Sequence, residues 1–289
     1  MPRVQVKNLD KPLWPDDGLT KRDLLGYFEA VAPALVPALR DRPLSVKRCP
    51  NGIGGVAFFQ KNTPPYAPPW VPTARVWAPS ARREVRYALC NSTDVLRWLA
   101  DQAAIELHPW LSRTRHLDRP DLMALDLDPP EGQFDRAARL ALALGRLLEE
   151  VGLRGVAKTS GAKGVHVVVP LRPGPSFDQV RAAAAAIARI LEARFPDLAT
   201  TAVRRARRGE RVFVDVGRNA AGQHMVAVYS PRARPGAPVS FPVPWEDLGR
   251  VRPQDFSLRT VPALLEREGD RWKALRPRPQ ALPRTLPSA

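Results

Sequence analysis

The segment Leu122-Met-Ala-Leu-Asp-Leu-Asp128, stopped by Pro129-Pro130, narrows what this chain can fold into more than any other stretch. A short apolar run bounded by prolines reads as a buried strand. Side chains on a strand alternate between faces, so Asp126 and Asp128 project from adjacent pleats on the same side. Two like charges that close repel unless a cation is shared between them. Carboxylate oxygens at this spacing suit a hard divalent ion, Mg²⁺ or Mn²⁺, rather than zinc.

A second strand, Arg211-Val-Phe-Val-Asp-Val216, puts Val212, Val214 and Val216 on one face and Phe213 and Asp215 on the other. A carboxylate inside a β-branched strand is costly unless it is paired or metal-bound. Arg218 offers an ordinary salt bridge. If Asp215 instead meets Asp126 and Asp128, the three form a two-metal centre suited to activating a 3′-hydroxyl and stabilising a departing pyrophosphate.

Other elements follow from periodicity. Residues 21–40 read as a helix capped by Thr20, with Leu24, Leu25, Phe28 and Val31 at helical spacing and with Pro33 and Pro37 breaking or kinking its second half. The proline-rich segment 62–82 reads as an extended surface excursion. A helix is expected over 91–107, capped by Ser92, Thr93 or Asp94. Beyond it the pattern is α/β: helices over 134–151 and 177–195, and strands over 165–171, 211–216 and 226–229. Such alternation predicts a mixed sheet with helices packed on it. The Pro/Arg-rich tail, about 270–289, is expected to trail over the surface or to be partly disordered.

The formal net charge of +16 favours a polyanionic partner, nucleic acid before all others; the plainer alternative is a solvated basic surface. There is no apolar run long enough to span a membrane and no apolar h-region at the N-terminus, so a cytoplasmic protein is expected. The two cysteines, Cys49 and Cys90, are too few for a disulfide framework.

Ser160-Gly-Ala-Lys-Gly-Val-His166, read as lying between a helix and a strand, has the small residues of an anion nest, with Lys163 adding charge and His166 able to donate to a phosphate oxygen. It lacks Walker A spacing. Arg204, Arg205, Arg207, Arg208, Arg211 and Arg218 crowd the approach to Asp215, and Arg232 and Arg234 follow; a loop this basic suits phosphates. One of Phe58 and Phe59 should face outward and could stack on a base, though core packing is the commoner fate of such residues.

Together these pieces resemble the polymerase domain of the bacterial end-joining DNA ligase D family, within the archaeo-eukaryotic primase superfamily. The resemblance runs from Asn8-Leu-Asp-Lys-Pro-Leu-Trp-Pro15 to about Asp247, through Leu-Ser-Val-Lys-Arg (44–48), Phe-Phe-Gln-Lys (58–61), Glu-Leu-His-Pro-Trp-Leu-Ser-Arg (106–113), Leu-Asp-Leu-Asp-Pro-Pro (125–130), Lys-Thr-Ser-Gly-Ala-Lys-Gly-Val-His (158–166), Arg-Val-Phe-Val-Asp (211–215) and Tyr-Ser-Pro-Arg-Ala-Arg (229–234). It implies one primase-polymerase domain over 1–289, with a DNA-contacting lobe about 1–115 and a catalytic core about 116–250 built on an RRM-like sheet. It also implies that Asp126, Asp128 and Asp215 hold two Mn²⁺ or Mg²⁺ ions. The nucleotide, an NTP or dNTP, would be bound by Ser160, Gly161, Lys163, His166, His108, Lys47, Arg218, Arg232 and Arg234. Asn8, Lys11 and Lys21 would grip the 5′-phosphate of a downstream strand at a gap or nick, and Phe58 and Phe59 would stack at the DNA end. The implied activity is addition of nucleotides, ribonucleotides preferentially, to 3′-ends in non-homologous end joining, beside the end-binding protein Ku and an ATP-dependent ligase.

The chain departs from that family in places. Gly222-Gln-His-Met225 stands where Gly-Lys-Thr is usual, and Cys49 and Asn51 replace the commoner Tyr and Asp. No Lys-x-Asp-Gly ligase motif occurs. De novo priming, a catalytically silent end-bridging protein and a metal-dependent nuclease are the alternative readings.

Overall fold

A computed structural model of the chain describes residues 4–78, 82–283 and 285. The described residues form two compact units: those within 1–115, 224–240 and 254–270, and those within 116–223, 241–253 and 271–289. Part of the segment expected in a catalytic core over 116–250, residues 224–240, thus belongs to the first unit.

The first unit opens with strands β1 (Pro12–Trp14) and β2 (Leu19–Thr20), which pair antiparallel. Helix α1 (Lys21–Leu39) follows. Its first N–H groups have no partner within the helix; those of Lys21 and Arg22 donate instead to the carbonyls of Lys11 and Leu9, and that of Thr20 donates to the Asp23 carboxylate. A five-stranded sheet comes next: β3 (Pro43–Arg48), β4 (Phe58–Gln60), β5 (Thr73–Ala78), β6 (Arg83–Leu89) and, after helix α2 (Thr93–Asp101), β7 (Ala104–Pro109), which pairs with β3. Leu24, Phe28, Leu35, Leu39 and Leu96 are among its fully buried side chains.

The second unit runs β8 (Leu122–Asp128), α3 (Phe134–Glu150), β9 (Val156–Thr159), β10 (Val165–Pro170), α4 (Phe177–Arg194), β11 (Ala199–Thr200), β12 (Val212–Asp215) and β13 (Pro242–Val243). Its strands lie in the order β11-β12-β8-β10-β9-β13. The middle four are all antiparallel and are linked as βαββαβ, the RRM-like sheet, while β11 runs parallel to β12 and makes the sheet mixed. Val167 of β10 and Leu148 of α3 both abut Gly155, which identifies the helix-covered face. The opposite face carries His166 and Asp126.

Several elements differ from the sequence reading. α1 runs unbroken through Pro33 and Pro37, which lie four residues apart on its exposed side, away from the packed core. The helix expected over 91–107 ends at Asp101; Ala103 takes a left-handed conformation (φ 51°), and residues 104–109 are a strand. Within 62–82, residues 73–78 are also a strand rather than an excursion. Residues 226–229 form no strand of the second unit's sheet. They run beside β7 in the first unit, with the Ala227 N–H bonded to the Leu107 carbonyl. The 160–164 loop connects two strands, β9 and β10, not a helix and a strand. The tail is ordered through a helix over Arg271–Leu275 and through Gln280, which exchanges backbone bonds with Pro170 and Arg172 and closes on Arg154 with its carboxamide. Residues 284 and 286–289 of that tail lie outside the described residues.

Gly164, at the turn into β10, has no room for a side chain: a Cβ there would lie 2.2 Å from the Leu127 carbonyl oxygen. Gly164→Ala should destabilise by ~3 kcal/mol and lower the melting temperature by ~6–12 °C, read by thermal denaturation. Gly132→Ala, at φ 73° with nothing within 4 Å, should cost only about 1 kcal/mol.

Candidate active site

In the second unit, register builds a charged row. Lys158 of β9 faces His166 of β10, His166 faces Asp126 of β8, and Asp126 faces Asp215 of β12. Asp128, one pleat further along β8, sits opposite Phe213. All four row residues are on the face away from α3. Lys158 Nζ lies 2.7 Å from His166 Nδ1, and His166 Nε2 lies 3.3 Å from Asp126 Oδ1. An ammonium has no lone pair, so Nδ1 accepts and Nε2 carries the proton toward Asp126. Arg218 Nε stands 3.8 Å from both Asp126 Oδ2 and Asp215 Oδ2, and the Gly217 N–H donates to Asp215 Oδ1 at 2.7 Å.

The electrostatics of the row are uneven. Burial raises the Asp126 pKa, but His166, Arg218 and Lys158 outweigh it and hold the carboxyl below its usual value. Asp128 is pushed up to about 6, by burial first and then by Asp126 and Asp215, against the pull of Lys163 and Arg218. Among the described residues no three His, Cys, Asp or Glu side chains already stand in a ligating array. The donor set nevertheless fits a hard divalent ion. It consists of carboxylate oxygens, and Arg218 stands 3.8 Å from two of them, Asp126 Oδ2 and Asp215 Oδ2.

Ser160 closes the β9–β10 turn on itself: its Oγ accepts from the Ala162 and Gly164 N–H groups, and its own N–H bonds the Gly164 carbonyl. Two of the N–H groups expected to cradle an anion are thereby used within the loop. Gly161 adopts φ 66° at its tip, and Lys163 lies beside Asp128.

The first unit gathers a second group. Glu106 of β7 is the register partner of Lys47, and Ser45 is the partner of His108. Glu106 binds His108 Nε2 at 2.9 Å, Arg232 Nε at 3.1 Å and Lys47 Nζ at 3.4 Å, and accepts from the Ala233 N–H at 3.1 Å. Arg234 makes no described side-chain bond to this group; its backbone N–H bonds the Arg232 carbonyl. Phe58 and Phe59 are 42% and 52% exposed, so both rings of the pair are accessible rather than one. Phe59 meets His108 edge-on and lies tilted against His224, and Arg48 sits over Phe58. His224, from the segment that departs from the usual Gly-Lys-Thr, therefore joins the rings around His108.

Of the residues expected at a 5′-phosphate, Lys11 Nζ bonds the Asn51 carboxamide at 3.0 Å and Asn8 takes a left-handed backbone (φ 53°). Lys21 is different. It is buried, donates to the Asp101 carbonyl at 2.8 Å and has its pKa lowered by burial despite Asp101.

Three important residues escaped the sequence reading. Lys158 and Glu106 lay inside quoted motifs without a role. Asn219 is fully buried: its carboxamide accepts from the Ala124 N–H and donates to the Ala124 and Val216 carbonyls, clamping the Arg218 turn to β8. Its only signal was an Asn following an Arg after a strand.

Comparison with known proteins adds the following. Residues 20–272 match the family model for the LigD primase-polymerase domain. The multifunctional non-homologous end joining DNA repair protein LigD of Mycobacterium tuberculosis is 33% identical over 279 residues, covering 93% of this chain and 36% of that protein. The corresponding Pseudomonas aeruginosa protein is 34% identical over 272 residues, with 91% and 31% covered. The bifunctional LigD of Bacillus subtilis is 31% identical over 272 residues, with 93% and 43% covered. The chain thus spans between 31% and 43% of the length of these relatives. A solved structure, the polymerase domain from M. tuberculosis ligase D in complex with DNA, superposes with a TM-score of 0.88 at 32% identity, covering 95% of this chain and 98% of that one.

Burial raises the Glu106 pKa, but His108, Arg232 and Lys47 overcome it and hold the carboxyl well below the usual carboxylate range. Its stabilisation is therefore fully present above the unfolded value of about 4.3 and is lost as pH falls toward the folded value. The stability gap between the native protein and Glu106→Gln should narrow from pH 6 to pH 3 in urea titrations; a gap independent of pH would contradict the depressed value.

Proposed function

The chain belongs to the LigD primase-polymerase domain family, polymerases of the nucleotidyltransferase type, and we propose that it extends primer 3′-hydroxyls at gaps and breaks during non-homologous end joining. The observation that carries the reading is the row Lys158–His166–Asp126–Asp215 with Asp128 one pleat away. Similarity to a polymerase domain solved with DNA, and a net charge of +16, support DNA as the partner.

In this reading Asp126, Asp128 and Asp215 hold two divalent cations, Mg²⁺ or Mn²⁺. When bound, these ions supply Lewis-acid activation of the 3′-hydroxyl and neutralise the leaving pyrophosphate. The chain's own groups do the rest. His166, fixed by Lys158, keeps its Nε2 proton directed at Asp126 and so orients that carboxylate. Arg218 transfers its charge from the carboxylates to a phosphate. Ser160, Gly161, Lys163, Lys47, His108, Arg232 and Arg234 are assigned to the nucleotide's phosphates. Phe58 and Phe59 stack at the DNA end.

Asn8 and Lys11 take the downstream 5′-phosphate. Asn51 is a neutral partner for Lys11 and leaves its charge uncompensated for that task. Lys21, whose ammonium already serves Asp101, supports the pocket from beneath. Ribonucleotides are the preferred substrate, and Ku and an ATP-dependent ligase in the bacterial cytoplasm are the partners in this reading.

Primer extension on a gapped duplex with Mn²⁺ tests the proposal. Asp126→Ala should abolish addition and leave DNA affinity within about twofold, since the ligand carboxylates serve chemistry rather than docking; retained extension would remove the metal assignment. Lys11→Ala should weaken binding to gapped DNA by about five- to tenfold only when the gap carries a 5′-phosphate. An equal loss on both substrates would make Lys11 a general basic residue, and tight 5′-phosphate-dependent binding without any addition by the native chain would favour an end-bridging role.

A further inference from the structure

We infer that Glu106 is a positioning residue, whose buried carboxylate fixes the directions in which Lys47, His108 and Arg232 present their charge to the nucleotide's phosphates. The inference rests on the polymerase reading above, which assigns those three side chains to the nucleotide. Glu106 has 3% of its side chain exposed in the middle of β7. One oxygen, Oε2, takes His108 and Arg232; the other, Oε1, takes Lys47 and the Ala233 N–H. A single carboxylate thus collects three segments of the first unit: β3 through Lys47, β7 through His108, and the Arg232–Ala233 stretch through a side chain and a backbone donor.

The charges are not balanced. Lys47 and Arg232 bring two permanent positive charges to one negative, and they are 27% and 18% exposed where the carboxylate is almost wholly covered. An anion arriving at this cluster meets the cations and not the acid. Judged by net charge alone, Glu106 subtracts one unit of attraction and weakens phosphate binding. Judged by order, it strengthens binding. Lysine and arginine carry long, freely rotating stems, and side chains already held in place lose less freedom when the phosphate docks. Its bond to His108 Nε2 also fixes the ring that packs edge-on against Phe59 and His224.

The two accounts predict opposite signs for Glu106→Gln, which keeps the shape and removes the charge. Positioning predicts a KM for the nucleotide raised about tenfold, with kcat within about threefold and affinity for gapped DNA unchanged. Net charge predicts a lower KM, and that result, or an unchanged KM, overturns the inference. Inhibition by inorganic pyrophosphate should weaken in parallel, which a merely structural role would not produce selectively. Should Glu106→Gln fail to fold, Glu106→Asp decides: it keeps the charge but cannot span the same partners, so a raised KM supports positioning and an unchanged KM overturns it. Arg232→Ala separates the inference from the reading beneath it. If Arg232→Ala raises KM and the Glu106 variants do not, the inference falls and the phosphate assignment stands. If none of them changes KM, the assignment falls as well.

Discussion

Taking a carboxylate out of water is among the most expensive acts in folding, and the second unit performs it at Asp126, which retains 7% exposure in the centre of a sheet. The compensation comes from neighbouring strands: His166 on one side, and Arg218, which follows β12, on the other, with Lys158 behind the histidine. Those partners exist only at one register. A slip of one residue between β8 and β10 would turn Asp126 toward the face covered by α3 and leave His166 opposite a leucine. The strand order β12-β8-β10-β9 is therefore tied to the charge: β8 carries the carboxylates and must have a neighbour on each side. Gly164 belongs to the same constraint, because a side chain there would press on the Leu127 carbonyl between the two aspartates.

The first unit buries a carboxylate too, at Glu106, where Lys47 and Arg232 outnumber it. Around Asp126, Asp128 and Asp215 three acids meet Lys158, Lys163 and Arg218, and burial first, then the other two carboxylates, pushes Asp128 up to about 6. Around Glu106 the cations exceed the acid, and the Glu106 carboxyl is held well below its ordinary range. Crowded carboxylates favour a hard cation, and an excess of cations favours an anion.

The shared face of the aspartates was legible because strand alternation is a local rule: Asp-x-Asp on an apolar run, and Asp215 within valines, need no tertiary knowledge to be placed on a face. The helices over 134–150 and 177–194 were legible for a similar reason, since their apolar spacing and caps are contained within each segment. What failed depended on surroundings. Pro33 and Pro37 look like breakers until the exposed side of α1 is known. Residues 104–109 continue an apolar pattern after α2, and only their pairing with β3 makes them a strand. Glu106 was invisible as a hub because Lys47 and Arg232, its partners, are 59 and 126 positions away. Lys21 read as an available charge, and its engagement by Asp101 is a long-range fact of the same kind.

Arg218 shows how a fixed backbone and a replaceable side chain can be combined. Its backbone is locked: Asn219 bonds both polar groups of Ala124 and the carbonyl of Val216, and Gly217 donates to Asp215. Its guanidinium is not locked. At 3.8 Å from each carboxylate and 39% exposed, it makes no bidentate pair with either, and loose, partly hydrated ion pairs of this sort contribute ~1 kcal/mol or less. A divalent cation offers the same carboxylates twice the charge at far shorter range. Displacement of Arg218 would therefore cost little, and the anchored turn would keep the released guanidinium near the carboxylates it left. A tighter Arg218–Asp pair would stabilise the empty site more and would oppose every ion that entered it. The weak geometry is thus the one that would suit the metal site proposed for these carboxylates.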